Sequence, residues 1–129
     1  MTEKMQVYKC EICENVTLVL HEGQGELVCC GEPMSLLDEK FEGEENEMHL
    51  PEMDPTDNGF FAKIGLIRHP MNDEHHIEWV EVEMEDGSIH RKFLSSGDTP
   101  EVYFGLNYDD LTEVRIYCNK HELWKQDMR

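Results

Sequence analysis

Residues 77–94, IEWVEVEMEDGSIHRKFL, decide the fold. Ile77 to Met84 is rich in β-prone residues, and Asp86-Gly87 is a strong hairpin turn signal. Ile89 to Leu94 then resumes the β-prone composition. The apolar phase slips between Trp79 and Val80, which predicts a bulge or a strand buried on both faces. Upstream, Phe60 to Ile67 sets Phe60, Ala62, Ile64 and Leu66 on one face. Downstream, Glu101 to Leu106 and Glu113 to Cys118 complete a set of short strands at roughly even spacing, with no convincing long amphipathic helix. From Phe60 onward the pattern predicts an antiparallel β-sandwich or barrel.

The region before this set has a different character. Cys10-x-x-Cys13 is a knuckle, and after fifteen intervening residues Cys29 and Cys30 are adjacent. Gln6 to Lys9, Val16 to Leu20 and Glu26 to Val28 read as short extended pieces around these cysteines, with turns at His21 to Gly25 and a stop at Pro33. A unit of about 37 residues is too small to fold on a hydrophobic core alone. Four thiolates on one metal would supply what the core lacks. Soft sulfur ligands in a tetrahedron select iron or zinc, and the adjacent pair predicts a distorted one. A zinc knob that merely holds the N-terminal region together is the plain structural alternative. Asp38 to Met48 is dense in carboxylates and reads as a solvated linker.

The chain has 129 residues and a formal net charge of −18. Such acidity argues against nucleic acid as a partner, because phosphate contacts need a basic face. The opening MTEKMQVYKC has no apolar run suited to a signal peptide, and no stretch approaches membrane-spanning length. A cytosolic location is the expectation, and there cysteine pairs read as metal ligands or redox thiols.

A second constellation lies further on. Cys118-x-x-His121 follows a strand in which Val114, Ile116 and Cys118 share a face. His69 precedes Pro70, which biases it towards extended backbone, and His75 lies across the polar loop Asn72-Asp73-Glu74. His49 stands two residues before Pro51. Each histidine alone reads as a surface or core residue. Together, at loop and strand ends beside an unpaired cysteine, they read as ligands, with His21, His76 and His90 as bystanders. Four imidazoles and one thiolate leave an octahedral ion one open position, and iron(II) suits that set better than zinc.

These residues carry a family resemblance. Cys10-x-x-Cys13 and Cys29-Cys30, Glu47-x-His49-x-Pro51, His69-Pro70-Met71 with His75, and Cys118-Asn119-x-His121 with Trp124 resemble the desulfoferrodoxins, the two-iron superoxide reductases. The resemblance runs over nearly the whole chain. It implies a mainly β protein: a desulforedoxin-like domain over residues 1–37, with iron on Cys10, Cys13, Cys29 and Cys30, then an immunoglobulin-like β-sandwich over residues 38–129. In the second domain it implies His49, His69, His75 and His121 as equatorial iron ligands and Cys118 as the axial one. Glu47 matches the family's mobile glutamate, which can take the sixth position of the oxidised iron. One departure is Met48, where family members carry a lysine thought to attract superoxide and help deliver a proton. Methionine can do neither, which leaves Lys40, Lys63 or another cation to stand in.

The activity implied is one-electron reduction of superoxide to hydrogen peroxide, with a rubredoxin-type donor restoring the ferrous state in a homodimer. Zinc is a possible substitute in the N-terminal site. The rival readings are a non-enzymatic iron electron carrier and a zinc-stabilised binding module.

Overall fold

The structure is a computed structural model that describes residues 1–41, 49–65 and 69–128. The chain divides into two compact units, Met1–Asp38 and Glu39–Arg129.

In the first unit β1 (Val7–Lys9) is the middle strand of an antiparallel sheet, flanked by β2 (Val16–Leu18) and β5 (Ser35–Leu36). A second, two-stranded ladder pairs β3 (Val28–Cys29) with β4 (Glu32–Pro33). Among the described apolar side chains only Val7, Cys10, Val19 and Leu37 are buried here. Ile12, Leu20, Val28 and Leu36 are exposed. So few buried groups offset little of the entropy lost on ordering such a segment, and the cysteine cluster must supply the rest.

Among its described residues the second unit has seven strands: β6 (Pro51–Thr56), β7 (Gly59–Ile64), β8 (Ile77–Met84), β9 (Ile89–Phe93), β10 (Glu101–Phe104), β11 (Leu111–Cys118) and β12 (Glu122–Asp127). They form one sheet in the order β10-β7-β6 and another in the order β12-β11-β8-β9, with every pairing antiparallel. The expected immunoglobulin-like sandwich is the fold observed. Phe60, Ala62 and Ile64 of β7 and Val102 and Phe104 of β10 meet Val80, Val82, Val114, Ile116 and Trp124 of the facing sheet in one core.

Both parts of the irregularity expected in β8 occur. The pairing with β11 shifts register between Tyr117 and Cys118, which face Trp79 and Ile77 and leave Glu78 as the extra residue. Val80, Glu81 and Val82 are all buried, so both faces are covered. Glu81 is tolerated there because Trp79 Nε1 donates to it at 3.0 Å, Arg91 Nη2 at 3.2 Å and Arg115 Nη2 at 3.0 Å. Asp86-Gly87 does turn the β8–β9 hairpin, with Gly87 at φ 86° and the Ser88 amide donating to Asp86 Oδ1 at 2.9 Å. Strand β7 ends at Ile64; Leu66 and Ile67 of the expected strand lie outside the described residues.

Candidate metal centres

At the sulfur site, one ligand atom from each of Cys10, Cys13, Cys29 and Cys30 lies within 4.8 Å of every other. Cys13 Sγ is 3.5 Å from Cys29 Sγ, and Cys29 Sγ is 3.9 Å from Cys30 Sγ. A tetrahedral ion with metal–sulfur bonds of about 2.3 Å holds its sulfurs about 3.8 Å apart, so the cluster has the size of one such ion. Two turns place the thiols. In the first, the Glu14 amide donates to the Cys10 carbonyl at 2.9 Å and the Cys13 amide points at Cys10 Sγ at 3.5 Å. In the second, Cys30 and Gly31 both take positive φ, 54° and 77°. The left-handed Cys30 is how two neighbouring residues turn their sulfurs to one point. Without metal these thiols are unlike one another. The Cys13 amide leads in drawing Cys10 down to about 7, and hydrogen bonding with Cys13 leads in pushing Cys30 up to about 12.

At the imidazole site, ligand atoms of His49, His75, Cys118 and His121 lie within 4.8 Å of one another. His69 stands outside that mutual group but within the same ring of side chains. Its Nε2 is 3.0 Å from Nε2 of His49. Ring centroids are 4.7 Å apart for His49–His69 and also for His69–His75. They are 5.0 Å apart for His75–His121 and 4.9 Å for His49–His121, each pair being edge-to-face. The diagonal His49–His75 is longer, 6.4 Å. Four rings therefore stand in the cyclic order 49, 69, 75, 121, as equatorial ligands of one ion must. Cys118 Sγ lies 3.9 Å from His121 Nδ1 and is fully buried, so a thiolate joins the imidazoles from the protein interior.

Strand ends deliver these groups. His49 enters just before β6, and Cys118 is the last residue of β11. His121 closes the turn to β12, while His69 and His75 come from the loop between β7 and β8. Hydrogen bonds behind the rings set their orientation. His69 Nδ1 lies 2.7 Å from the Pro70 carbonyl, so the proton sits on Nδ1 and Nε2 faces the group. Asn72 Oδ1 accepts from the His75 amide at 2.9 Å.

Three further residues support the imidazole site without being candidate ligands. Asn119 accepts from the His76 amide at 2.9 Å and donates to the Glu74 carbonyl at 3.0 Å, tying the β11–β12 turn to the histidine loop. Trp124 stacks on His49, with centroids 4.7 Å apart and planes 6° from parallel, and its Nε1 donates to the His121 carbonyl at 3.0 Å. Lys40 is the third, its Nζ donating to the same His121 carbonyl at 2.9 Å. Glu47 and Met48 lie outside the described residues. The bystander His76 donates its amide to Asn119, and His90 Nε2 lies 3.1 Å from Ser88 Oγ. Lys63 is occupied by Asp54 at 3.2 Å.

A four-thiolate knuckle, and a β-sandwich that gathers imidazoles around one thiolate, define a two-centre metalloprotein with donor chemistry suited to iron. Residues 2–37 match the family Desulfoferrodoxin, N-terminal domain, and residues 42–127 match the family Desulfoferrodoxin. The chain is 46% identical over 125 residues to the desulfoferrodoxin homolog of Archaeoglobus fulgidus, covering 97% of this chain and 98% of that one. It is also 46% identical over 127 residues to the desulfoferrodoxin of Syntrophotalea carbinolica, covering 98% and 99%. The crystal structure of the superoxide reductase from Treponema pallidum superposes with a TM-score of 0.76 at 26% identity, covering 98% of this chain and 100% of that one. This chain belongs to the desulfoferrodoxin family, and its two donor clusters match that family's two-iron pattern.

Proposed function

We propose that the chain is a superoxide reductase, reducing superoxide by one electron to hydrogen peroxide. The observation that carries this reading is the ring of four imidazoles with buried Cys118 beside it, a five-donor set that leaves an octahedral ion one free position. Ferrous iron bound there supplies the electron. The residues that would hold it are His49, His69, His75 and His121, with Cys118 as the sulfur donor beside them. Trp124 and the Pro70 carbonyl fix ring orientations, and burial shields the Cys118 sulfur from solvent, so that the charge of a bound metal would be what holds it as a thiolate. We assign Glu47 as the carboxylate that would be available as a further oxygen ligand to the oxidised iron. Cys10, Cys13, Cys29 and Cys30 are proposed to hold the second iron, with zinc as a possible substitute.

The domain division proposed is residues 1–37 for the sulfur centre and 38–129 for the reductase centre. The split of the chain into compact units after Asp38 supports it. A rubredoxin-type protein is proposed as the reductant, since each turnover consumes one electron. A homodimer is favoured by Ile12, Leu20 and Val28, whose exposures of 59%, 73% and 57% are high for apolar side chains in so small a unit. A cytosolic location is proposed, the setting in which cysteine clusters serve as metal ligands rather than disulfides. No helix among the described residues is long and apolar enough to cross a membrane.

The test is the visible spectrum of the purified protein, before and after mild oxidation, followed by anaerobic mixing of the reduced form with superoxide. Ferric-thiolate absorption, joined on oxidation by a lower-energy band from Cys118, is expected, with rapid oxidation by superoxide and no oxygen release. A protein that stays colourless after expression with iron would point to a zinc module. A coloured protein indifferent to superoxide would be an electron carrier, and oxygen evolution would mean dismutation.

A further inference from the structure

We infer that Lys40 is a positioning residue of the imidazole–thiolate centre: its ammonium holds the His121 peptide in place and adds a positive charge that favours the reduced metal. The inference rests on the reading of that centre as an iron site.

Lys40 is fixed by its backbone. Its amide donates to the Leu123 carbonyl at 3.0 Å, and its carbonyl accepts from the Lys125 amide at 2.8 Å, forming a parallel bridge opposite Trp124. That pairing aims the side chain back towards the β11–β12 turn. Lys40 Nζ donates to the His121 carbonyl at 2.9 Å, the same oxygen that accepts from Trp124 Nε1 at 3.0 Å. The ammonium also stands 5.8 Å from the Trp124 ring centroid, and that ring is the one stacked on His49. One cation thus touches the peptide of one proposed ligand and the aromatic platform of another.

The other cations with ion pairs in the structure are committed elsewhere. Lys63 binds Asp54 and Arg91 binds Glu81. Arg115 binds Glu81 and Glu39, while Lys125 binds Glu39, Glu113 and Asp127. Lys40 makes no ion pair among the described residues, so its charge is not neutralised by one of their carboxylates. A half-buried cation beside a metal acts through a lower effective dielectric than water, and it stabilises the state in which the metal carries less positive charge. Two donors on the His121 carbonyl also restrain the turn that sets His121 against Cys118.

The test compares Lys40→Met, Lys40→Gln and Lys40→Arg with the native protein by redox titration, following the thiolate band of Cys118 and the four-cysteine absorption separately. The expected result is a lower midpoint potential at the imidazole–thiolate centre in Lys40→Met and in Lys40→Gln, which keeps a donor but not the charge. Lys40→Arg restores the native value, and the four-cysteine midpoint stays put in all three. Midpoints equal to native in both neutral variants would overturn the inference. So would a shift that Lys40→Arg shares and that tracks a lower unfolding temperature, since that describes packing alone. A native protein lacking the lower-energy band overturns the iron reading and this inference together. A native protein that shows the band, with unshifted variants, overturns the inference alone.

Discussion

Cys118 is the residue on which the two kinds of sulfur in this chain divide. It is buried, whereas of the four sulfur-site cysteines only Cys10 is buried and Cys13 and Cys30 are open to solvent. Replacing it, as in Cys118→Ser, is expected to abolish the lower-energy absorption of the oxidised protein and leave the four-cysteine spectrum unchanged; loss of both bands would mean the two centres are not independent. Asn119 acts one step back. With its side chain removed in Asn119→Ala, the β11–β12 turn loses both side-chain ties to the His75 loop and keeps only the Asn119 amide's bond to the His76 carbonyl at 3.2 Å. Metal affinity at the imidazole centre should fall by about 10–100-fold in chelator competition, the usual loss when a supporting hydrogen bond is removed. At the sulfur centre pH is the lever. In the metal-free cluster Cys30 is pushed up to about 12 and Cys29 is also raised, so both carry protons at neutral pH, while Cys10 at about 7 is partly ionised. Metal must displace those protons, so its affinity should rise steeply between pH 6 and pH 8, to be read by metal titration. A flat profile over that interval would show that the thiols are already ionised.

Strands differ in how plainly they announce themselves. In β7 and β11 the apolar residues alternate, and the structure buries Phe60, Ala62 and Ile64, then Val114, Ile116 and Cys118, each set on one face. Strand β6 escapes such a reading because Pro51 and Pro55 look like breakers. It is an edge strand, where a missing amide costs no ladder bond. Strand β12 escapes because Leu123 and Trp124 are adjacent and both buried, which destroys alternation. The histidines of the candidate site are legible as residue types near strand ends. Their cyclic order is not, since it depends on how two sheets bring separate loops together. Nor is Lys40, whose place comes from a single bridge to β12. Two glycines test the elements directly. A Cβ on Gly87 meets nothing within 4 Å, so Gly87→Ala is strained only by its φ of 86° and should cost about 1 kcal/mol. A Cβ on Gly59 would collide with the Phe104 carbonyl oxygen, so Gly59→Ala must push β7 from β10. Denaturant unfolding should show the second variant clearly less stable than the first; equal midpoints would mean the β7–β10 pairing gives way without loss.

For the whole molecule the governing quantity is charge. Twenty-nine acidic residues against eleven basic ones set a field that repels an anionic substrate. Screening weakens that repulsion, so the second-order rate with superoxide should rise as salt is added from low ionic strength. A rate that falls would show that a local positive field, of the kind Lys40 provides, outweighs the net charge during approach.

The spacing of the two donor sets also fixes the order in which the protein can mature. The sulfur donors all fall between Cys10 and Cys30 and close only short loops, whereas the imidazole donors run from His49 to His121, near the end of the chain. Short loops close early and with little entropy loss, and distant strands pair late. During synthesis the first metal can therefore be captured while the sandwich is still incomplete. The second waits until β11 and β12 have emerged and docked. A chain released before its last strands form would carry one centre and lack the other.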